Sequence, residues 1–184
     1  MKKLNQGVHK FQQDVFGTHK KLFTKLAETQ TPHTLFITCS DSRINPNMLT
    51  QSEPGEIFIL RNAGNIVPNY SIVSGGEAAT IEFALAGLGI EHIVVCGHSN
   101  CGAMKAVLNP ELARNLPALK KWLIHAETTK KLLNEIYTSR TEDEHLNIAI
   151  QENVLLQLEN LRTHPALCVA RLTIFVLIMP LLRS

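Results

Sequence analysis

The sequence predicts an α/β fold in which a central, mostly parallel β-sheet is flanked by helices, with a helical N-terminal arm and a helical C-terminal half. Three short apolar runs, at residues 35–38, 57–60 and 93–96, predict buried strands. Their continuous apolar character is expected where both faces of a sheet are covered. Helical patterns lie between these runs, and strands that alternate with helices indicate βαβ units and a parallel sheet.

Two helical patterns open the chain and predict an arm over residues 1–30. The first repeats apolar side chains at Leu4, Val8, Phe11 and Val15, and the second contains Leu22, Phe23 and Leu26 before Pro32 ends it. We find no internal repeat, low-complexity segment or linker. We therefore expect a single domain over residues 1–184, with the arm at one end and an atypical tail over residues 167–184 at the other.

Further helices are predicted between and after the strands. The clearest spans residues 77–88, which Ser74, Gly75 and Gly76 precede and Gly89 closes. Beyond the third strand, helical pieces are expected near residues 101–108, 116–138 and 142–163, with three acidic residues at 142–144 favouring the start of the last. The apolar tail lacks clear periodicity and fits a strand, a short buried helix or a changed reading frame.

The composition narrows the class of protein. The chain has 184 residues, 45% of them apolar and 18% charged, with a net charge of +2. So small a charge does not indicate nucleic-acid binding. The longest apolar run, residues 172–182, is shorter than the ~20 residues of a membrane span, and the N-terminus lacks the apolar core of a secretory signal. We therefore expect a cytoplasmic protein with no membrane partner, or one in a microcompartment of the cytoplasm.

Two polar clusters follow the first and third predicted strands. They are Cys39-Ser40-Asp41-Ser42-Arg43 and His98-Ser99-Asn100-Cys101-Gly102. Because sites in parallel sheets form at the carboxyl ends of the strands, adjacent strands would bring the two clusters together. In a reducing compartment, cysteines at 39, 96, 101 and 168 favour metal binding or catalysis over disulfides.

Together the clusters offer two thiolates and one imidazole, which is a donor set for Zn²⁺. A catalytic zinc site has three protein ligands and an open fourth position. Alternatives remain at this point: a buried His and a buried Cys without metal, or a purely structural zinc site. Asp41 and Arg43 fit a polar dyad in which the guanidinium holds the carboxylate through two bonds, and the alternative for them is a surface ion pair.

At this point the sequence resembles a known family, the β-carbonic anhydrases. The similarity rests on the order and spacing of four segments: Cys39 to Arg43, Arg61-Asn62-Ala63-Gly64-Asn65, Gly75-Gly76-Glu77, and Cys96 to Ala103. It extends from about the first helix to His164-Pro165. Over that stretch the sequence looks most like the cyanobacterial, carboxysome-associated branch.

The resemblance implies zinc bound by Cys39, His98 and Cys101, with Asp41 and Arg43 as the catalytic dyad. It also implies reversible hydration of carbon dioxide to bicarbonate and a proton by a zinc-bound hydroxide. The family builds its active sites at a dimer interface, so the resemblance implies a homodimer or a higher homo-oligomer whose N-terminal helices embrace the partner subunit.

Two further positions compare with the plant-like members of the family. Gln30 falls where those members place a substrate-binding glutamine, and the alternative for it is an exposed residue at a helix end. Phe36 stands where a regulated subgroup has a tryptophan. Both features favour the open form, in which the fourth zinc position is not taken by Asp41.

The tail departs from the family. Arg171-Leu172 still looks familiar, but residues 173–184 do not, and we expect the strand that normally follows to be replaced or missing. A carboxysome scaffold stays a candidate partner, but we expect the extension that the carboxysomal branch uses to bind it to be absent. Two alternative functions therefore stay open: a zinc-bound but inactive core that serves assembly or partner binding, and a carbon disulfide or carbonyl sulfide hydrolase on the same fold.

Overall fold

A computed structural model describes residues 1–70, 75–138, 140–169 and 172–180. Ser74, Arg171 and the last four residues of the tail lie outside these ranges. The chain divides into two compact units, Met1–Thr31 and Pro32–Ser184, so a boundary falls next to the one expected for the arm. The single domain stays a prediction. None of the helices in the described ranges combines the length and the apolarity that a bilayer span requires.

The first unit is helical, as its apolar spacing predicts. It contains α1 (Lys2–Lys10), a π-helical turn (Phe11–Val15), α2 (Phe16–Thr18) and α3 (Lys20–Glu28). Phe23 stacks on Phe16 with ring centroids 5.4 Å apart and meets Phe11 edge-on at 5.7 Å. No residue of these helices is buried, so the unit exposes an apolar stripe.

The second unit is built on a four-stranded parallel sheet, which confirms the predicted fold class. Its strands are β1 (Thr34–Cys39), β2 (Ile57–Asn62), β3 (His92–His98) and β4 (Thr173–Met179), in the spatial order β2-β1-β3-β4. Thr38 of β1 lies opposite Cys96 of β3, so these central strands end side by side. The two polar clusters therefore meet at one edge of the sheet.

Helices flank the sheet, and all of them except the short one that follows β1 lie where the patterns predict them. They are α4 (Pro46–Thr50), α5 (Gly76–Glu82), α6 (Gly102–Leu108), α7 (Pro117–Trp122), α8 (Glu127–Ile136) and α9 (Glu142–Arg162). The helix predicted at 77–88 is observed as α5 followed by a π-helical turn at Phe83–Gly87. The segment predicted at 116–138 is divided by a 3₁₀ turn at Leu123–Ala126. Shorter 3₁₀ turns lie at Pro110–Ala113 and Pro165–Val169. A capping box formed by Thr141 and Glu144 starts α9, beside the acidic residues that favour this end.

The core of this unit lies on the central strands. One buried cluster unites side chains of β1, β3, α5 and α9: Leu35, Ile37, Ile93, Val95, Ile81, Val154 and Leu161. Gly97 of β3 lets α9 approach closely, because a Cβ there would lie 2.8 Å from Cγ2 of Val154. The long helix is therefore pressed against the strand that leads to His98.

The tail forms a strand, so the expectation that this strand might be missing is wrong. β4 pairs with β3 along its whole length, from His92 opposite Thr173 to His98 opposite Met179. Its apolar, β-branched residues suit a pleated surface, and the backbone pairs without needing particular side chains. Of the two conformations expected for the tail, a strand and a short buried helix, the strand is observed at Thr173–Met179.

Candidate metal centre

The first half of the site is the turn that follows β1. Cys39 is the last residue of β1 and is 5% exposed. The side chain of Arg61 in β2 forms hydrogen bonds to two carbonyl oxygens of this turn. Its Nε and Nη2 donate to that of Cys39 at 3.0 and 2.8 Å, and Nη2 also donates to that of Asp41 at 2.8 Å. The Gly64 N–H, in the loop after β2, donates to Cys39 Sγ at 3.3 Å. Cys39 is therefore held at its carbonyl oxygen by a side chain of β2 and at its sulfur by the main chain of the following loop.

The second half is the turn between β3 and α6. His98 ends β3 with no exposed surface, and Cys101 is the N-cap residue of α6 at 1% exposed. His98 Nδ1 lies 2.9 Å from the carbonyl oxygen of Ser99, which fixes the ring. The other ring nitrogen, Nε2, is buried and has no hydrogen-bond partner among the described residues. A buried polar atom without a partner is costly, so this nitrogen is poised for a ligand.

The two halves converge on one point. The ligand atoms of Cys39, His98 and Cys101 all lie within 4.8 Å of one another, and all three residues are buried. Tetrahedral zinc takes sulfur at about 2.3 Å and imidazole nitrogen at about 2.0 Å. Two sulfurs and one otherwise unpartnered nitrogen at this spacing fit such an ion. The three side chains are thus positioned to bind a metal, as the sequence predicts.

Cys39, His98 and Cys101 change one another's pKa values because they lie close together. A hydrogen bond from the Cys101 thiol lowers the pKa of Cys39 to about 4, against the opposing effect of burial. The same bond, with burial, raises the pKa of Cys101. Burial disfavours a charged imidazole, but Cys39, the Ser99 carbonyl oxygen and the Asp41 carboxylate together outweigh it and raise the pKa of His98. Cys39 is therefore the more acidic of the two cysteines.

Asp41 and Arg43 form the predicted dyad beside this cluster. Arg43 donates from Nε to Asp41 Oδ1 at 2.9 Å and from Nη2 to Oδ2 at 2.7 Å, and its backbone N–H also donates to Oδ1 at 3.0 Å. Nη2 reaches across to the carbonyl oxygen of Asn100 at 3.1 Å, which joins the two turns. These bonds hold the pKa of the Asp41 carboxyl well below its usual range and raise that of Arg43. Oδ2 of Asp41 lies 3.9 Å from His98 Nε2, so the carboxylate borders the metal position.

A cavity of about 340 Å³ opens next to the dyad. Its lining is mostly apolar and consists of Arg43, Ile44, Asn45, Met48, Leu49 and Met179. A small uncharged molecule suits such walls, with the guanidinium as the one charged group among the described lining residues. The cavity lies beside Arg43, between α4 and the end of β4.

Of the residues predicted for the site, the structure brings five together: Cys39, Asp41, Arg43, His98 and Cys101. Gln30 is exposed and lies in the first unit, after α3, so its role stays a prediction. Sequence reasoning assigned no role to Arg61. The motif at residues 61–65 identifies this region of the chain. Nothing in it indicates that the Arg61 side chain bonds the backbone of the turn after β1.

Comparison with known proteins agrees with this geometry. Residues 34–175 match the carbonic anhydrase family. A carbonic anhydrase of Synechococcus elongatus is 48% identical over 166 residues, which is 90% of this chain and 61% of that protein. The chain thus spans about three fifths of the length of that relative.

Solved structures give the same result. The β-carbonic anhydrase CcaA superimposes with a TM-score of 0.94 at 44% identity and covers 98% of this chain and 83% of that one. Tetrameric β-carbonic anhydrases of the ascomycete Sordaria macrospora include one with a TM-score of 0.78 at 29% identity, covering 97% of this chain and 88% of that one. Family match, identity and fold agree, and the chain belongs to the β-class of the carbonic anhydrase family.

Proposed function

We propose that this protein catalyses the zinc-dependent, reversible hydration of carbon dioxide to bicarbonate and a proton. The observation that carries the proposal is the buried Cys39, His98 and Cys101 cluster with the Asp41–Arg43 pair at its border. Family membership supports it. A purely structural zinc site would leave an oriented carboxylate at the metal position without a use.

The chain's own residues would perform most of the work. Cys39, His98 and Cys101 would hold the ion, which, when bound, lowers the pKa of a coordinated water toward neutrality and so supplies a nucleophile. Asp41 stays ionised and offers its oxygens as acceptors next to His98 Nε2, so it would accept the nucleophile's hydrogen bond and aim its lone pair at carbon dioxide. Arg43 would keep that carboxylate in place.

The state of Asp41 supports the open form of the site. A carboxylate that ligated zinc would give up bonds to Arg43, whereas here it accepts three from that residue. Phe36, fully buried in β1, occupies the position that a tryptophan has in the regulated subgroup. In the open form, Gln30 would bind substrate, as in the plant-like members that the sequence resembles.

A homo-oligomer, with a homodimer as its smallest form, is part of the proposal. Solved relatives from Sordaria macrospora are tetrameric. The helices of the first unit carry large apolar side chains that are 41–69% exposed: Leu4, Val8, Phe11 and Phe16. An exposed apolar stripe of this kind is typical of a protein interface, which supports an arm that embraces a partner subunit. A cytoplasmic or carboxysomal location stays a prediction of the sequence.

A substrate comparison tests this function. The zinc-loaded protein should hydrate carbon dioxide in a stopped-flow pH-indicator assay at neutral and alkaline pH, and it should lose that activity when a chelator removes the metal. Carbon disulfide and carbonyl sulfide, offered in parallel, should turn over more slowly. Faster hydrolysis of either sulfur compound would favour the hydrolase alternative, and full zinc occupancy without any turnover would favour the inactive core.

A further inference from the structure

One peptide group in the loop after β2 connects Trp122 to the proposed zinc ligand Cys39. The indole Nε1–H of Trp122 donates to the carbonyl oxygen of Ala63 at 2.8 Å. The N–H on the other side of the same peptide, that of Gly64, donates to Cys39 Sγ at 3.3 Å. Because a trans peptide is planar, its C=O and N–H point in opposite directions, so holding one end aims the other.

The peptide has little freedom to turn. Gly64 has a φ of +86°, and a Cβ at this position would lie 3.0 Å from Cβ of Ala103, two residues after Cys101. Its own carbonyl oxygen accepts a bond from Asn153 Nδ2 of α9 at 3.0 Å. Gly64 is therefore fixed between the first turn of α6, which follows Cys101, and the buried face of α9.

The same face of α9 holds the rest of the loop. Gln157 Oε1 accepts from the Val67 N–H at 2.8 Å, and its Nε2 donates to Asn153 Oδ1 at 2.8 Å. Asn153 and Gln157 are 1% and 0% exposed, so these buried amides are satisfied by the loop and by each other. The loop backbone thus rests on a rigid support, and Trp122 supplies the bond on the peptide that faces Cys39.

We propose that Trp122 is a positioning residue for the metal centre, acting through the Ala63–Gly64 peptide to orient and strengthen the N–H···S bond to Cys39. A donor on the carbonyl oxygen polarises the peptide and makes its N–H a better donor. A better donor stabilises the Cys39 thiolate and restricts its direction, as outer partners of metal ligands do. The inference deepens the proposed function and rests on its zinc site.

Trp122→Phe tests this role, because it removes the indole N–H and keeps an aromatic ring beside His125, which Trp122 meets edge-on with centroids 5.4 Å apart. Tyr137→Phe is the matched control: it also removes one aromatic donor, the hydroxyl that donates to Glu152 at 2.8 Å, but away from the loop. Zinc release to a chromogenic chelator should be about tenfold faster in Trp122→Phe than in the wild type and the control.

Two spectroscopic measurements separate positioning from general destabilisation. The Gly64 amide proton should shift upfield in Trp122→Phe, and the ¹¹³Cd resonance of the cadmium-substituted protein should move, while both stay at their wild-type values in Tyr137→Phe. Wild-type zinc release together with an unmoved Gly64 amide in Trp122→Phe would overturn the inference. If that variant does not fold, the benzothienylalanine isostere, which replaces only the N–H by sulfur, is measured in its place with the same expectations.

Failure of the proposed function would look different. A wild-type protein that retains no zinc would contradict the zinc enzyme, not the role of Trp122. The Gly64 amide shift, measured on the metal-free protein, would then decide the inference by itself. An upfield shift in Trp122→Phe alone would support it, and equal shifts in both variants would overturn it.

Discussion

The strands β3 and β4 are hydrogen-bonded neighbours, yet the molecule uses them in opposite ways. In β3 the side chains of Ile93, Val95 and His98 have no exposed surface. In β4 the side chains of Phe175 and Val176 are 51% and 47% exposed. One strand carries a metal ligand and part of the core, while the other is an apolar edge.

The difference between β3 and β4 shows which part of each strand supports the site. Just beyond His98, the Ser99 N–H donates to the carbonyl oxygen of Met179 at 3.0 Å, so β4 supports the metal turn through its backbone. Backbone pairing places few demands on side chains. The exposed side chains of β4 can therefore vary while the strand and the site keep their geometry. Substitutions at register-paired positions of β3 and β4 put this contrast to the test.

The largest effect is expected where the strands end. His98→Ala removes the nitrogen ligand, so zinc should fall from about one ion per chain to near zero. Met179→Ala, at the register partner of His98, should keep its zinc because the backbone carbonyl that supports Ser99 remains. Metal analysis after dialysis against a weak chelator measures both. Equal zinc loss in the two variants would contradict the division between the strands.

A second large effect concerns the dyad at the site. Asp41→Asn keeps the three ligands but loses the charge that Arg43 orients, so zinc should stay bound while kcat/KM for carbon dioxide hydration falls by about 10²- to 10³-fold. Stopped-flow rates and metal analysis on the same sample measure this. An active Asp41→Asn protein would exclude the carboxylate from the reaction.

The pH dependence of that loss follows from the electrostatics of Asp41. Arg43 holds the pKa of this carboxyl below its ordinary value of 3.8, so the folded protein keeps it ionised above that value and protonates it only as the pH falls further. The ratio of wild-type to Asp41→Asn activity should therefore be constant from about pH 6 to 9. A ratio that collapses as the pH falls from 9 to 6 would show a carboxyl that titrates there.

A moderate effect is expected in the interior of β3. Val95→Thr replaces a methyl group by a hydroxyl where no surface is exposed, so the free energy of unfolding should fall by about 1–3 kcal/mol. Chemical denaturation followed by circular dichroism measures it. No loss of stability would mean that this face of β3 is less tightly packed than the structure shows.

The smallest effect is expected opposite Val95, at Val176 of β4. Val176→Thr makes the same substitution on an exposed side chain, so stability should change by no more than about 0.5 kcal/mol. Association of the protein should also weaken, because an apolar edge strand promotes pairing with other chains. Sedimentation velocity at several concentrations reports this, and a loss of stability equal to that of Val95→Thr would remove the contrast between the strands.

Much of this architecture could be predicted from the sequence. Continuous apolar runs marked β1, β2 and β3, of which the central strands β1 and β3 are largely buried. The polar clusters that begin at Cys39 and His98 could be placed at one sheet edge because parallel strands end together. Helix boundaries near α9 followed from acidic residues that suit a helix N-terminus.

Other features could not be predicted, for physical reasons. The tail lacks alternation because the side chains on both faces of β4 are apolar, so no period distinguished a strand from a buried helix. Arg61 and Trp122 act on backbone carbonyls that are distant in sequence, at Cys39 and Ala63, and such bonds leave no spacing pattern. The helical pattern around Trp122 gives no sign of a role at the site, although its indole N–H bonds the peptide that faces a proposed ligand.

X-ray absorption at the zinc K-edge tests which atoms bind the metal. The zinc-loaded protein should show two sulfur neighbours at about 2.3 Å and two nitrogen or oxygen neighbours at about 2.0 Å, from Cys39, Cys101, His98 and one further light atom. Zinc surrounded by nitrogen and oxygen alone, or by four sulfurs, would contradict the assignment of Cys39, His98 and Cys101 as the ligands.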